Sequence, residues 1–236
     1  MGIASLGPWL RRKGQRQRKT PRTGRISRPL PLSLEILETR TMPTAVSWVG
    51  GATGDWGVTA NWFDGTTNRL PGAGDDVSIG AGVTVRHSTG TDQIHSLTDQ
   101  GALEFSGGIL DLAAASAVST TGSFTLSGGT LQGAGDLTLN SLFVWTGGTM
   151  SGTGHTRANG TMLLSGSSNV VLDTRTLDNT GTATWTTANS YYLILNNGAV
   201  INNLPGAVLD LQSDGGISAG GVLNNAGTIT KSGTGG

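Results

Sequence analysis

Three stretches of the chain repeat one pattern: FSGGILDL from Phe105, LSGGTLQGAGDLTL from Leu126 and WTGGTMSGTG from Trp145. Each runs apolar residue, Ser or Thr, two glycines, any residue, apolar residue. The glycine pairs open at Gly107, Gly128 and Gly147, a period of about twenty, which marks stacked repeats in which each unit buries its face on the next. Within the period, apolar residues come in pairs two apart: Leu103/Phe105, Leu110/Leu112, Phe124/Leu126, Leu137/Leu139, Phe143/Trp145, Met162/Leu164, Val170/Leu172, Leu193/Leu195 and Leu209/Leu211. A two-residue step puts both members of a pair on one face of a strand. Gly, Asn, Asp and Ser separate the pairs, as tight corners require.

These features predict an all-β fold, a single-stranded right-handed parallel β-helix (β-solenoid) of roughly 18–24 residues per coil. Coils about 4.8 Å apart make six or seven of them a rod on the order of 30 Å long. The competing arrangement is a β-sandwich, whose strands also recur at short spacing; one motif repeating at one period favours the solenoid.

The second half keeps the period and changes the corner. LDNTG, INNLPG and LNNAG begin at Leu177, Ile201 and Leu223. Asn179, Asn203 and Asn225 are expected to stack there, with their amides hydrogen-bonded along the axis. A glycine follows each (Gly181, Gly206, Gly227) and is expected to supply positive φ.

Charge divides the chain. Residues 1–40 hold ten of the fifteen Lys and Arg against two acids, and residues 41–236 carry the balancing acidic excess behind a formal net charge of zero. The basic tract has one aromatic, Trp9; without stacking residues it reads as no nucleic-acid platform. No Cys is present, which excludes disulfides, thiol catalysis and Cys-ligated zinc. No apolar run approaches the roughly 20 residues of a membrane helix.

Three segments follow. Residues 1–45 read as a basic disordered leader or export segment, broken by prolines, with a short helix expected at Leu32–Glu38. Residues 46–90 read as a Trp-rich N-terminal capping segment, and residues 91–236 as the solenoid repeats. TITKSGTGG stops within a repeat, which reads as a rod cut short at its C-terminus or a last coil that self-associates end to end.

Two resemblances add to this. LEILETRTMPT, Leu34 to Thr44, resembles the LExLExR element of the LEPR-XLL class, which lies behind a basic stretch in large extracellular proteins of planctomycete-type bacteria. Glu35, Leu37, Glu38, Arg40 and Pro43 match, while Thr39 stands where an acid is common; the resemblance implies export. From Trp48 on, the chain resembles the Gly/Asn/Thr-rich β-solenoids of autotransporter- and adhesin-like bacterial surface proteins. Trp48, Gly50, Gly51, Trp56, Asn61, Trp62, Pro71, Asp75 or Asp76, Val77 and Ile79 carry it. That likeness implies a passive, extracellular or cell-surface role toward a surface or matrix polysaccharide or protein.

Candidate chemistry is sparse. Asp173, Arg175 and Asp178 are the best catalytic candidates, with Asp111 and Asp210 in similar settings; a carbohydrate-active β-helix of the lyase or hydrolase kind would need them gathered in a groove. Outward Asp residues that keep a wall soluble are the plainer reading, so the chain is read as non-enzymatic. His87, His95 and His155 lack metal-ligand spacing, and no metal site or cofactor is assigned. GGATGD at Gly50 and GAGDD at Gly72 are single imperfect copies of a calcium repeat that works in tandem. Trp48, Trp56 and Trp62 have two readings, a lid on the open end of the rod or a platform for sugar rings. The platform needs coplanar exposed rings.

Overall fold

The computed structural model describes residues 42–186 and 191–233. The basic leader through residue 41, with its expected short helix and most of the LExLExR-like element, lies outside them. Within them the chain winds as a β-solenoid of three parallel sheets. A complete lap comprises, for example, Ser96–Asp99 in sheet 1, Ala102–Phe105 in sheet 2 and Ile109–Leu112 in sheet 3. Sheet 3 has 7 strands, so seven laps are complete; sheets 1 and 2 have 10 and 9 and extend past it at both ends. Every pairing is parallel except that of Thr44–Trp48 with Trp62–Phe63. A sandwich, with two facing sheets, is thereby ruled out.

The pairs two apart are the inward positions. Leu103, Phe124, Phe143, Met162, Ala183 and Leu209 form one inward column of sheet 2, and Phe105, Leu126, Trp145, Leu164 and Trp185 form the other. Leu110, Leu131, Met150, Leu172 and Leu195 do the same in sheet 3. All are buried, and burying each large apolar side chain contributes about 1.5–3 kcal/mol. In-register side-chain pairs on adjacent laps lie from 18 residues apart (Arg86 and Glu104) to 24 (Asn179 and Asn203), so the lap length matches the period.

The glycine doublets stack at the corner between sheets 2 and 3, and the two glycines do different things. The second of each pair, Gly108, Gly129 and Gly148, takes φ of 76, 71 and 78°, the left-handed region that glycine enters without penalty. The first, Gly107, Gly128 and Gly147, lies so close under the preceding lap that a Cβ would drive into the carbonyl of Ser88, Ser106 or Ser127. Three residues make this corner between Phe105 and Ile109, Leu126 and Thr130, and Trp145 and Thr149. In later laps the connection is longer, from Leu164 to Val170, Trp185 to Leu193 and Leu211 to Ile217.

Stacking begins earlier than the boundary at residue 91. Asp75–Ile79, Thr84–His87 and Thr91–Ile94 already make a full lap, and Thr44–Trp48 with Thr53–Asp55 an incomplete one before it. The Trp-rich segment is therefore part of the solenoid. Its first lap carries an insertion, so that Ser47 and Ser78, 31 residues apart, share a hydrogen bond. The insertion runs through a 3-10 turn at Thr59–Asn61 into Trp62–Phe63, which lies antiparallel on the first strand. Arg69 anchors its return by bonding Asp64 at 2.7 Å and both carboxylate oxygens of Asp75. With two backbone amides also donating to it, Asp64 is held down to about 2.

Gly128→Ala and Gly57→Ala test the corner. Nothing lies within 4 Å of a Cβ at Gly57, so that change is expected to leave the melting transition within about 0.5 kcal/mol. Gly128→Ala must displace backbone and is expected to cost about 2–3 kcal/mol, measured by denaturant unfolding of the two variants side by side.

Candidate functional site

The side chains singled out in the sequence do not gather. Arg175 is fully buried and points into the rod. The residue before it, Thr174, turns the corner between sheets 3 and 1 with φ of 57°, a costly setting for a β-branched residue. From there the guanidinium reaches back over two earlier laps. Nε donates to Thr156 Oγ1 at 2.8 Å, Nη1 to the carbonyls of Gly133 and Ser151, and Nη2 to those of Gly135 and His155. Burial pulls it down to about 10, which leaves it charged at neutral pH. Arg175 is thus an internal clasp for corner carbonyls.

Asp173 and Asp178 lie on different sheets. Asp173 ends a strand of sheet 3 and accepts from Asn197 at 2.9 Å. Asp178 sits on the outer face of sheet 1, where His155 Nδ1 approaches at 3.2 Å and Asn202 donates at 2.7 Å. Arg157 stands between Asp178 (3.9 Å) and Asp136 (2.8 Å). The group of titratable side chains on this wall is therefore Asp136, His155, Arg157 and Asp178. Of these the sequence pointed only to Asp178; the strand register aligning Arg157 with Asp178 was the missing signal. Asp111 accepts from Gln132, one lap on, and Asp210 from Thr230, Ser232 and Gln212, contacts that hold its carboxyl below the usual range.

The three histidines stand apart, each beside an Asp. His95 meets Asp76 at 2.7 Å, and His155 meets Asp178. His87 is buried and stacked on Phe105 with ring centroids 4.5 Å apart. Its Nδ1 donates to the Gly107 carbonyl at 2.8 Å and its Nε2 lies 2.9 Å from Asp92 Oδ2. Among the described residues no group of three His, Asp or Glu side chains is placed to hold a metal ion.

Trp56 and Trp62 are inside the rod, 1% and 0% exposed. Trp62 donates from its ring nitrogen to the Trp56 carbonyl at 2.7 Å, and the two rings meet edge to face at 4.7 Å. Trp48 packs on Trp62 at 87° between ring planes and donates to the Gly51 carbonyl. Rings so arranged plug the first lap and offer no coplanar platform for a sugar.

The Asn corner is a ladder. Asn179 pairs in register with Asn203, and Asn203 with Asn225. Asn179 Nδ2 donates to Asn203 Oδ1 at 2.9 Å and to the Val208 carbonyl at 3.0 Å; Asn203 Nδ2 repeats this with Asn225 Oδ1 and the Thr228 carbonyl. A second ladder runs outside, from Asn224 to Asn202 to Asp178. Of the three following glycines only Gly206 has positive φ, at 86°. Gly181 and Gly227 are required instead by close approach, to the carbonyls of Gly160 and of Leu204 and Ala207.

Polar side chains also enter the inward columns singly: His87 over Phe105, Thr156 between Leu137 and Leu177, and Asp99. Asp99 lies in register between Ile79 and Val118, in the column that runs on through Leu139 and Ala158 to Asn179, Asn203 and Asn225. Its Oδ1 accepts from the Gly101 amide at 2.8 Å, its Oδ2 is buried without a partner, and burial pushes it up to about 6.

No family model, curated protein or solved structure matches the chain. The class is defined by the fold itself, a three-sheet parallel β-solenoid with a Trp-packed first lap and an amide ladder toward its other end.

Two measurements follow from the buried charges. The folded value of Asp99 lies above the roughly 3.9 of an unfolded Asp, so the folded state binds the proton more tightly. Stability is therefore expected to fall as pH rises from about 4 to 6 and to level off above that. Asp99→Asn is expected to remove this slope and to be more stable near pH 7 by about 1–3 kcal/mol, read from denaturant midpoints across pH. Arg175→Met strips donors from carbonyls at two corners and is expected to cost about 3 kcal/mol, with hydrogen exchange quickening first around residues 133–156.

Proposed function

We propose that the chain is a non-enzymatic, exported β-solenoid that serves as a structural or adhesive element of a bacterial cell surface or extracellular matrix. One observation carries this reading: the polar side chains of the wall are bonded mainly to the laps above and below. Asp111–Gln132, Asp136–Arg157, Asp178–Asn202 and Asp173–Asn197 are all lap-to-lap pairs. Groups so engaged reinforce a rod. The resemblance to adhesin-like solenoids supports a surface setting, and the LExLExR-like element supports export of the leader-bearing chain. No helix among the described residues is long and apolar enough to cross a membrane. The partner in this reading is a surface or matrix polysaccharide or protein, and no cofactor is assigned.

A carbohydrate-active reading has one observation in its favour, the His155–Asp178 pair beside Arg157 on the outer face of sheet 1. A carboxylate-oriented imidazole is a recurring general base.

The full chain, tagged at its C-terminus and expressed in a planctomycete-type host, is expected in the surface or medium fraction, and a chain lacking residues 1–41 in the cytoplasm. Retention of both inside the cell overturns the export reading. Incubation with a broad set of acidic and neutral polysaccharides is expected to release no reducing ends or unsaturated products. Turnover that His155→Ala abolishes would establish the enzyme instead.

A further inference from the structure

The outer faces of the three sheets use their side chains differently. Sheet 1 carries Asp136, His155, Arg157 and Asp178, and sheet 3 carries Asp111 and Asp173, each bonded to a neighbouring lap. Sheet 2 bears charge only toward its ends, at Asp55, Arg86 and Glu104 and again at Asp210 and Lys231. Between them four laps turn outward Ser123 and Thr125, Leu142 and Val144, Thr161 and Leu163, and Thr182 and Thr184. These alternate along each strand with the buried residues of the two inward columns. Leu142 is 45% exposed. Among the described residues the hydroxyls of Ser123, Thr125, Thr161, Thr182 and Thr184 make no hydrogen bond. This strip of wall is therefore uncharged, and its polar groups are not spent on tying one lap to the next.

We propose that this strip binds an uncharged polysaccharide laid across the four laps. The inference rests on the surface reading above and narrows its partner. A hydroxyl both donates and accepts, and five left unpaired match the hydroxyls of sugar rings, which do the same. Leu142, Val144 and Leu163 offer apolar contact to the C–H faces of those rings. Charge selects among polysaccharides. Residues 41–236 hold thirteen acids against five bases, so an acidic polymer meets repulsion, and none of the eight outward residues is a cation that would hold it. Size argues against a protein partner. Four strands of four residues cover about 19 Å by 13 Å, roughly 250 Å², against the ~800 Å² that each side gives to a stable protein interface. The laps repeat every ~4.8 Å, so a partner with a repeating unit of its own meets contacts of one kind along the rod.

The test incubates the full chain with suspensions of cellulose, mannan and chitin, and with alginate and polygalacturonate as acidic counterparts, and measures depletion from solution. Saturable binding to at least one neutral polymer is expected, and little to the acidic ones. It is expected to stay constant between about 0.1 and 1 M salt, since no charge takes part. The double variant Leu142→Asp, Thr182→Asp changes two exposed positions and is expected to weaken binding about tenfold or more, with an unchanged circular dichroism spectrum. Thr98→Asp, exposed on the outer face of sheet 1, is expected to leave binding as it was. No binding to any neutral polymer, preference for the acidic ones, equal effects of the double variant and Thr98→Asp, or a dimer in sedimentation that Leu142→Asp dissociates would overturn the proposal. Fractionation scores export separately. A chain that is exported and does not bind sinks this inference alone, and one that binds and stays inside the cell sinks the export reading alone.

Discussion

The parallel, in-register ladder between laps governs the rest of the molecule. Because each residue sits directly over its counterpart one lap earlier, every inward position belongs to a column, and a column accepts only what can stack on itself. Leucine, valine, phenylalanine and tryptophan do so by van der Waals contact, as Phe124 over Phe143 shows with rings 5.7 Å apart. A polar residue enters the interior in one of two ways. It stacks on its own kind in consecutive laps, as Asn179, Asn203 and Asn225 do, or it finds all its partners locally, as Arg175 does among the carbonyls of two corners. Asp99 meets neither condition fully, and its raised proton affinity is the consequence.

The same rule separates what the sequence discloses from what it hides. Features that recur are readable. The doublets at Gly107, Gly128 and Gly147 and the amides at Asn179, Asn203 and Asn225 stack as their spacing requires, and the nine apolar pairs point inward, with Leu211 alone only partly covered. Features that occur once are not. Arg175 looks like any wall charge until the left-handed turn at Thr174 sends it inward. The first lap escapes notice because its insertion stretches the spacing to 31 residues and replaces the doublet by Trp56 and Trp62. The grouping of Asp173, Arg175 and Asp178 fails for the same reason. Nearness in sequence says little about nearness in space when a corner lies between them, while Arg157 and Asp178, 21 positions apart, are neighbours in register.

Glycine illustrates how one residue type answers two physical demands. At Gly206 the backbone enters the left-handed region; at Gly181 and Gly227 it does not, and the absent side chain makes room for the carbonyls of an adjacent lap. Sequence alone predicts that a corner needs glycine there. Which of the two needs applies depends on how tightly successive laps nest.

The corner between sheets 2 and 3 changes length along the rod while the strands on either side keep their pairing. At the corner between Leu164 and Val170 the added residues 166–169 are exposed, and the ladder does not register their presence. That edge is accordingly a seam where new sequence can be spliced without refolding the protein. Lineages that diversify their contacts, and engineers who graft a loop, would both be steered to this side of the prism rather than to its flat faces.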